Sequence, residues 1–190
     1  MKNLKVIFEV KIFPILKILD KIGVKPFHLT ILGLSLSFIP ALFYIKGEFF
    51  LAGIFLLLFS LLDTFDGALA RFQKSESDFG AFLDSVTDRI QEATIFLSLI
   101  YFYRKEINFM LIMFFSFLFS FLISYTRARA EGLNYKVRKG PMEREERIVF
   151  LGISSMIGEN FFPYLLILFL ILSILTFLRR IDEAYKIMKK

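Results

Sequence analysis

Four aspartates near the middle of the chain are spaced so that two helices would each present a pair of carboxylates on one face. Asp63 and Asp66 stand three residues apart, and Asp84 and Asp88 stand four apart. Residues at these separations lie on the same side of an α-helix. The segment SESD and a glycine between the two pairs predict a short turn. The two helices are therefore expected to be antiparallel neighbours whose carboxylates converge on one cavity.

Such a cavity favours the binding of hard divalent cations. Carboxylates that face one another repel, and acids in an apolar chain are costly unless a partner offsets their charge. Mg²⁺ and Mn²⁺ prefer oxygen ligands, and four carboxylates can hold two such ions, which would clamp a phosphate between them. Gly67 and Ala70 leave room for a bulky group such as a nucleotide, and Arg71 offers a planar fork for a diphosphate oxygen. The alternative, in which the four acids are polar helix ends paired with Arg71 and Arg89, requires the spacing to be fortuitous.

The chain that carries these acids is too apolar for a soluble domain. Its 190 residues are 56% hydrophobic and include 26 Phe, whereas soluble domains average about 45–50% apolar residues. The excess apolar surface is expected to face lipid. With no Cys and a single histidine, His28, the sequence excludes a disulfide framework and a zinc knot, and His28 is expected to pack at the membrane interface. The net charge of +6 indicates charge asymmetry across a bilayer rather than nucleic-acid binding.

The predicted fold class is an all-α integral membrane protein with six transmembrane helices preceded by an amphipathic juxtamembrane helix. Each span approaches the ~20 mostly apolar residues that cross a bilayer. The predicted spans are Leu29–Tyr44, Phe49–Leu69, Phe82–Tyr103, Ile107–Tyr125, Ile148–Phe162 and Pro163–Leu178. Lysines interleave the apolar residues of Leu4–Ile22, which predicts a helix lying on the membrane surface. One membrane domain would fill residues 1–190, with the interfacial helix over 1–25, the six-helix domain over 26–180 and a cytoplasmic tail over 181–190.

Six spans place both termini on one side of the membrane, and the basic residues agree with that arrangement. Lys46, Arg104 and Lys105 fall on the opposite side, and the other 21 of the 24 Lys and Arg residues fall with the termini. Because cytoplasmic segments are enriched in Lys and Arg, both termini and the aspartates are expected to be cytoplasmic. The predicted location is the cell membrane.

The aspartates belong to a longer pattern of eight residues at fixed spacing over 26 positions. The pattern is Asp63-x-x-Asp66-Gly67-x-x-Ala70-Arg71, eight residues, then Gly80-x-x-x-Asp84-x-x-x-Asp88. It resembles the signature of the CDP-alcohol phosphotransferase family at every position, and the length, six spans and N-terminal helix are also similar to that family. Its members transfer a phosphatidyl-type group from a CDP-linked lipid, or a phosphoalcohol from a CDP-alcohol, to a hydroxyl and release CMP.

The resemblance implies a role for each residue of this pattern. It implies a CDP-linked lipid as substrate, two Mg²⁺ or Mn²⁺ ions as cofactor, a homodimer, and Asp88 as the general base that deprotonates the incoming hydroxyl. The metal ligands that it implies are Asp63, Asp66, Asp84 and Asp88. The CDP site that it implies is lined by Asp66, Gly67, Ala70, Arg71 and Gly80.

A segment upstream of the first span also resembles the family. GVKPFHLTILG, from Gly23 to Gly33, is similar to the family pattern G-x-x-P-N-x-[VL]-T. Pro26 and Thr30 are therefore further candidates for the CDP site. Phe27 stands where the family has Asn, which removes a polar side chain expected near the nucleotide.

Two basic segments narrow the choice of the acceptor substrate. SYTRARAEG (Ser124–Gly132) and GPMEREERIVFLG (Gly140–Gly152) resemble the members that make phosphoinositol lipids, the phosphatidylinositol phosphate and archaetidylinositol phosphate synthases. Their acceptor is inositol 1-phosphate, a dianion that needs cations. The acceptor-phosphate residues that this resemblance implies are Ser124, Arg127, Arg144 and Arg180. Arg147 lies one turn beyond Arg144, and a shift of register would exchange the two.

Other interpretations stay open. Arginines at the cytoplasmic ends of spans also follow from topology and can meet lipid headgroups. Phosphatidylglycerophosphate synthase, another member of the family, also uses a phosphorylated polyol as acceptor. A cation transporter or channel with an acidic site is disfavoured, because no charged residues continue a path across the membrane. The lipid of the donor is either archaeol or diacylglycerol, with a composition compatible with a thermophile favouring CDP-archaeol.

Overall fold

The computed structural model describes residues 2–138 and 140–189, with side chains from Ile12 onward. Lys139 and Lys190, which were counted among the cytoplasmic basic residues, lie outside the described residues, as do the side chains of the first three lysines. The described chain is all-helical, which confirms the predicted class. Its helices are α1 Lys2–Lys21, α2 Pro26–Leu36, α3 Phe38–Ile45, α4 Phe49–Phe72, α5 Asp78–Phe102, α6 Ile107–Glu131, α7 Arg144–Ile157 and α8 Phe162–Met188.

Within the described residues, four segments are long and apolar enough to cross a membrane, as expected of a multi-pass membrane protein. They are Pro26–Ile45, Phe49–Phe72, Ile107–Glu131 and Phe162–Met188. Of the other two predicted spans, α7 has only 14 residues. The other, α5, is long enough at 25 residues but includes Asp84, Asp88, Arg89 and Glu92. Six spans therefore stay a prediction, while the membrane-embedded helical class stands.

Several helices begin or end at residues other than the predicted ones, because of the local sequence and hydrogen bonding. The first predicted span is two helices that meet at Ser37, three residues before Pro40, whose ring and missing N–H disfavour a continuous helix. The fifth begins at Arg144 instead of Ile148, because the Glu143 N–H bonds Glu146 Oε2 at 2.6 Å and closes the first turn. At the other end of the chain, α8 continues through Met188, so most of the predicted tail is helix.

The chain divides into two compact units, the first of which comprises Met1–Ser37 and Leu58–Gln91. In this unit α1 packs on the second half of α4 through Ile12, Leu16 and Leu69. Gln73 Nε2 donates to Asp20 Oδ1 at 2.9 Å and to the Val24 carbonyl at 3.0 Å, which fixes the connection between α1 and α2. His28 Nδ1 accepts the Lys25 N–H at 3.2 Å, which closes the first turn of α2.

The second unit comprises Phe38–Leu57 and Glu92–Lys190. In it α8 packs on α6 and α7. Its core is aromatic, and members such as Tyr44, Phe96, Phe162 and Phe169 are fully buried. Tyr44 Oη and Ser155 Oγ share a hydrogen bond of 2.5 Å inside this core.

Two glycines let α4 and α7 approach closely within the second unit. A Cβ added to Gly53 would lie 2.6 Å from the Gly152 carbonyl oxygen, and one added to Gly152 would lie 2.5 Å from Leu57 Cγ. Both separations are shorter than any that packed atoms adopt. The crossing of these two helices therefore requires glycine at both positions.

Gly53→Ala is expected to lower the melting temperature, because the new methyl group meets backbone that cannot turn away. Overpacking of this kind costs about 1–3 kcal/mol of folding free energy. Circular dichroism at 222 nm on protein in detergent measures the change, since the chain has neither Trp nor Cys for fluorescence or thiol-dye melts. Gly132→Ala is the matched control, because its Cβ would stay 3.5 Å from the nearest atom. Equal melting temperatures for the two variants would contradict the prediction.

Candidate functional site

The four motif aspartates all lie in the first unit, on the last part of α4 and the first part of α5. Asp66 and Asp88 are buried, with 7% and 8% of their surface exposed. Asp63 and Asp84 are half-buried. The sequence prediction that both helices contribute acids to one region is therefore supported by placement, and the contacts of each side chain show how far they come together.

Asp66 is oriented by two neutral donors. Thr30 Oγ1 donates to its Oδ2 at 2.7 Å, and the Gly67 N–H donates to its Oδ1 at 2.5 Å. The charges of Asp84 and Asp63 both act on this carboxylate, and both are negative. A buried carboxylate that meets neutral donors and like charges carries an electrostatic cost that a cation would relieve.

Asp63 is approached by two residues that the sequence interpretation did not assign to the site. Gln91 Nε2 donates to Asp63 Oδ1 at 3.2 Å. A Cβ added to Gly33 would lie 2.8 Å from the same oxygen, so Gly33 gives the Asp63 carboxylate its present space beside α2. Periodicity gave a signal for both: Gln91 is seven residues after Asp84, on its helical face, and Gly33 is three after Thr30.

The aspartates supply the donor chemistry that the predicted metal site needs. Across the residues that the structure describes, no three acidic or histidine side chains surround a common point. The binding of two ions by all four aspartates stays a prediction. The donor set nevertheless consists of carboxylate oxygens, which suit Mg²⁺ or Mn²⁺, and the like charges around Asp66 are those that a divalent ion would neutralise.

The other residues expected at a CDP site also lie in the first unit. Pro26 begins α2, and its carbonyl accepts a hydrogen bond from Thr30 Oγ1 at 3.2 Å. Gly67 and Ala70 are half-buried on α4, and Arg71 is exposed at the end of that helix. Gly80 is exposed in the first turn of α5, where its N–H donates to Ser77 Oγ at 3.1 Å.

The residues expected at the acceptor phosphate lie in the second unit, where three of them stand close together. Arg180 is 2% exposed, and its Nη1 donates to the Ile123 carbonyl at 2.7 Å. Arg127 is half-buried and pairs with Glu131 at 3.0 Å. Ser124 directly follows Ile123 on α6 and is half-buried.

Arg147 is the arginine of α7 that contacts Ser124, with Nη2 3.0 Å from Oγ. The charges of Arg147 and Arg127 both act on Arg180, so the three guanidinium groups form one basic cluster. Arg144 begins α7 and is half-buried, one turn before Arg147. The sequence analysis named Arg144 for the acceptor phosphate and noted that a shift of register would exchange it with Arg147. In the structure, it is Arg147 that contacts Ser124. Glu92, which pairs with Arg147, was missed altogether.

Comparison with known proteins gives consistent matches. A family model described as CDP-alcohol phosphatidyltransferase matches residues 24–181. The archaetidylinositol phosphate synthase of Pyrococcus horikoshii is 36% identical over 174 residues, which are 90% of this chain and 88% of that protein. The crystal structure of Mycobacterium tuberculosis phosphatidylinositol phosphate synthase with CDP-DAG bound is similar with a TM-score of 0.84 and 27% identity, covering 90% of this chain and 92% of that one. The structure of the same enzyme in complex with manganese and citrate also has a TM-score of 0.84 and 27% identity. That match covers 90% of this chain and 88% of the other.

Thr30→Val is expected to weaken Mn²⁺ binding by about tenfold, because it removes the hydroxyl that holds Asp66 Oδ2 while keeping the side-chain shape. The signal of free Mn²⁺ in electron paramagnetic resonance measures this affinity without any substrate. Thr30→Ser keeps the hydroxyl and is the control, expected to bind Mn²⁺ like the unchanged protein. Equal affinities for the valine and serine variants would show that Thr30 does not orient a metal ligand.

Proposed function

The chain belongs to the CDP-alcohol phosphatidyltransferase family, and we propose that it transfers the lipid-phosphate group of a CDP-linked lipid to inositol 1-phosphate. Membership of this family makes the protein a membrane-embedded CDP-alcohol phosphotransferase of phospholipid synthesis. The resemblance inferred from the aspartate pattern is thereby confirmed, and a cation transporter is set aside. The acceptor, the roles of individual residues and the cytoplasmic orientation are the proposed part.

The basic cluster around Ser124 is the observation that carries the choice of acceptor. Arg180 is buried, and among the described residues its Nε has no hydrogen-bond partner. The repelling charges of Arg147 and Arg127 act on it more strongly than the attracting charges of Glu143 and Glu183. A buried cation in such surroundings is stabilised by an anion. The phosphate of inositol 1-phosphate supplies one, whereas free inositol and serine supply no phosphate.

The names of the relatives support the same acceptor and leave two lipids for the donor. One relative is named an archaetidylinositol phosphate synthase, and the similar solved structure is a phosphatidylinositol phosphate synthase. We propose Ser124, Arg127, Arg147 and Arg180 for the acceptor phosphate, with Arg144 adjoining them. CDP-archaeol and CDP-diacylglycerol are both donors that this assignment accommodates.

The first unit is proposed to hold the CDP group and the metal. Support comes from the CDP-DAG and the manganese named with the similar structure and from the negative surroundings of Asp66. Asp63, Asp66, Asp84 and Asp88 would hold Mg²⁺ or Mn²⁺. The proposed CDP-binding residues are Pro26, Thr30, Asp66, Gly67, Ala70, Arg71 and Gly80. When bound, divalent ions would offset phosphate charge and the charge of the departing CMP.

Asp88 is proposed to accept the proton of the attacking hydroxyl. Its carboxylate is buried, and its Oδ2 forms an ion pair with Arg89 Nη2 at 3.5 Å. As the proton moves to Asp88, the acceptor oxygen forms a bond to the β-phosphorus of the donor. The bond from that phosphorus to the bridging oxygen breaks, and CMP leaves with the electron pair.

CMP release from the purified protein is expected to depend on inositol 1-phosphate. The assay supplies CDP-archaeol or CDP-diacylglycerol with Mg²⁺ and, in parallel, inositol 1-phosphate, glycerol 3-phosphate, inositol or serine. Inositol 1-phosphate should give the fastest release and EDTA should abolish it. Fastest release with glycerol 3-phosphate would instead identify a phosphatidylglycerophosphate synthase, which the same arginines would accommodate.

Asp88→Asn is expected to reduce kcat by about 10²–10⁴-fold while CDP-lipid still binds, because the amide cannot take up the proton. Turnover is measured as CMP release, and donor binding by calorimetry in detergent. Ser85→Ala is the control on the same helix, since Ser85 is exposed and bonds only the Ala81 carbonyl in its described contacts. Near-normal turnover of Asp88→Asn would rule Asp88 out as the base.

A further inference from the structure

Glu92 and Arg147 form a buried ion pair in the second unit. Their side chains are 5% and 1% exposed. Arg147 Nε donates to Glu92 Oε1 at 2.9 Å and Nη2 donates to Oε2 at 3.3 Å, so the guanidinium grips the carboxylate with two nitrogens. A paired fork of this kind fixes the plane of the guanidinium as well as its position.

Further hydrogen bonds hold both partners of the pair. Ser120 Oγ donates to Glu92 Oε1 at 2.6 Å, which fixes the carboxylate against α6. Arg147 Nη1 donates to the Met142 carbonyl at 3.1 Å, in the segment that leads into α7. Arg147 Nη2 also reaches Ser124 Oγ at 3.0 Å. The Ser124 hydroxyl in turn donates to the Ser120 carbonyl at 3.3 Å, so the network joins α5, α6 and α7 and includes a serine of the basic cluster.

Stability alone does not account for this pair. Desolvating two charges costs about as much as their attraction returns, and apolar residues of similar size often serve a core equally well. What an apolar pair cannot do is orient a guanidinium toward the Ser124 hydroxyl. The geometry is that of a carboxylate that holds an arginine for a further task.

We propose that Glu92 is a positioning residue for the acceptor, acting through Arg147 to set the guanidinium and the Ser124 hydroxyl that meet a phosphate group. This inference rests on the proposed function, since it assigns Ser124 and Arg147 to a phosphorylated acceptor. Glu92 also neutralises one of three neighbouring guanidinium charges. That compensation lets the cluster assemble before the anion arrives.

Steady-state kinetics of four variants test the inference: Glu92→Gln, Glu92→Asp, Arg147→Gln and the double variant Glu92→Gln/Arg147→Gln. Glu92→Gln is expected to raise KM for inositol 1-phosphate about tenfold and to leave KM for the CDP-lipid within about twofold. Glu92→Asp, one methylene shorter, should give a smaller rise. Because Glu92 acts through Arg147, the double variant should have the same acceptor KM as Arg147→Gln alone.

Tyr44→Phe is the matched control for lost stability. It removes a hydrogen bond from a fully buried tyrosine of the same unit, far in sequence from the acceptor residues. It should lower the melting temperature without raising the acceptor KM. Additive effects of Glu92→Gln and Arg147→Gln, or equal changes in both Michaelis constants, would overturn the inference. If Glu92→Gln does not fold, the test uses Glu92→Asp and the double variant, which leaves neither charge of the pair unpaired. The same comparison of Michaelis constants for the acceptor and the CDP-lipid then applies.

Inorganic phosphate separates failure of this inference from failure of the proposed function. Phosphate should raise the melting temperature of the unchanged protein relative to chloride at equal ionic strength, and Glu92→Gln should lose most of that rise. Suppose that phosphate raises the melting temperature only when Glu92 is present, but that CMP release does not depend on inositol 1-phosphate. The proposed acceptor is then wrong and the positioning role stands. If CMP release requires inositol 1-phosphate but Glu92→Gln keeps its acceptor KM and its phosphate response, the positioning role is wrong and the acceptor stands.

Discussion

A charge buried in an apolar helical protein needs a partner that neutralises it, and the buried charges of this chain meet that requirement to different extents. Arg147 meets it internally, through the paired oxygens of Glu92. Asp66 does not, because its described contacts are neutral donors and the charges around it are negative. Arg180 resembles Asp66 with the opposite sign, because it is a buried guanidinium whose strongest charged neighbours are cations. Arg147 thus has its compensating charge within the chain, whereas Asp66 and Arg180 lie beside charges of their own sign.

The buried charge whose strongest charged neighbours have its own sign is a carboxylate, Asp66, in the first unit and a guanidinium, Arg180, in the second. The first holds carboxylates, which suit a metal and the diphosphate that a metal accompanies. The second holds arginines, which suit the phosphate of an acceptor. A phosphotransferase that joins a CDP-lipid to a phosphorylated alcohol needs both kinds of site. The proposed function assigns the metal and the CDP group to the first unit and the acceptor phosphate to the second.

The helices position these groups through small and polar residues more than through apolar ones. Thr30 and Gln91 aim individual carboxylates, and Gly33 leaves space beside Asp63. Ser120 and Ser124 do the same for the ion pair and the basic cluster. The apolar majority of the chain provides a membrane-embedded frame, within which a few hydroxyl and amide groups set the direction of each charge.

The sequence by itself determined the family, the all-helical membrane class and the aspartate motif, because these depend on residue type and on spacing along one helix. The resemblance of two basic segments to phosphoinositol-lipid synthases also implied a phosphorylated acceptor. Only the tertiary structure decided that Arg147 contacts Ser124 and that Glu92 neutralises Arg147. The reason is physical: 55 residues separate Glu92 from Arg147, and helical periodicity fixes which side of its own helix a residue faces but not which distant side chain it meets.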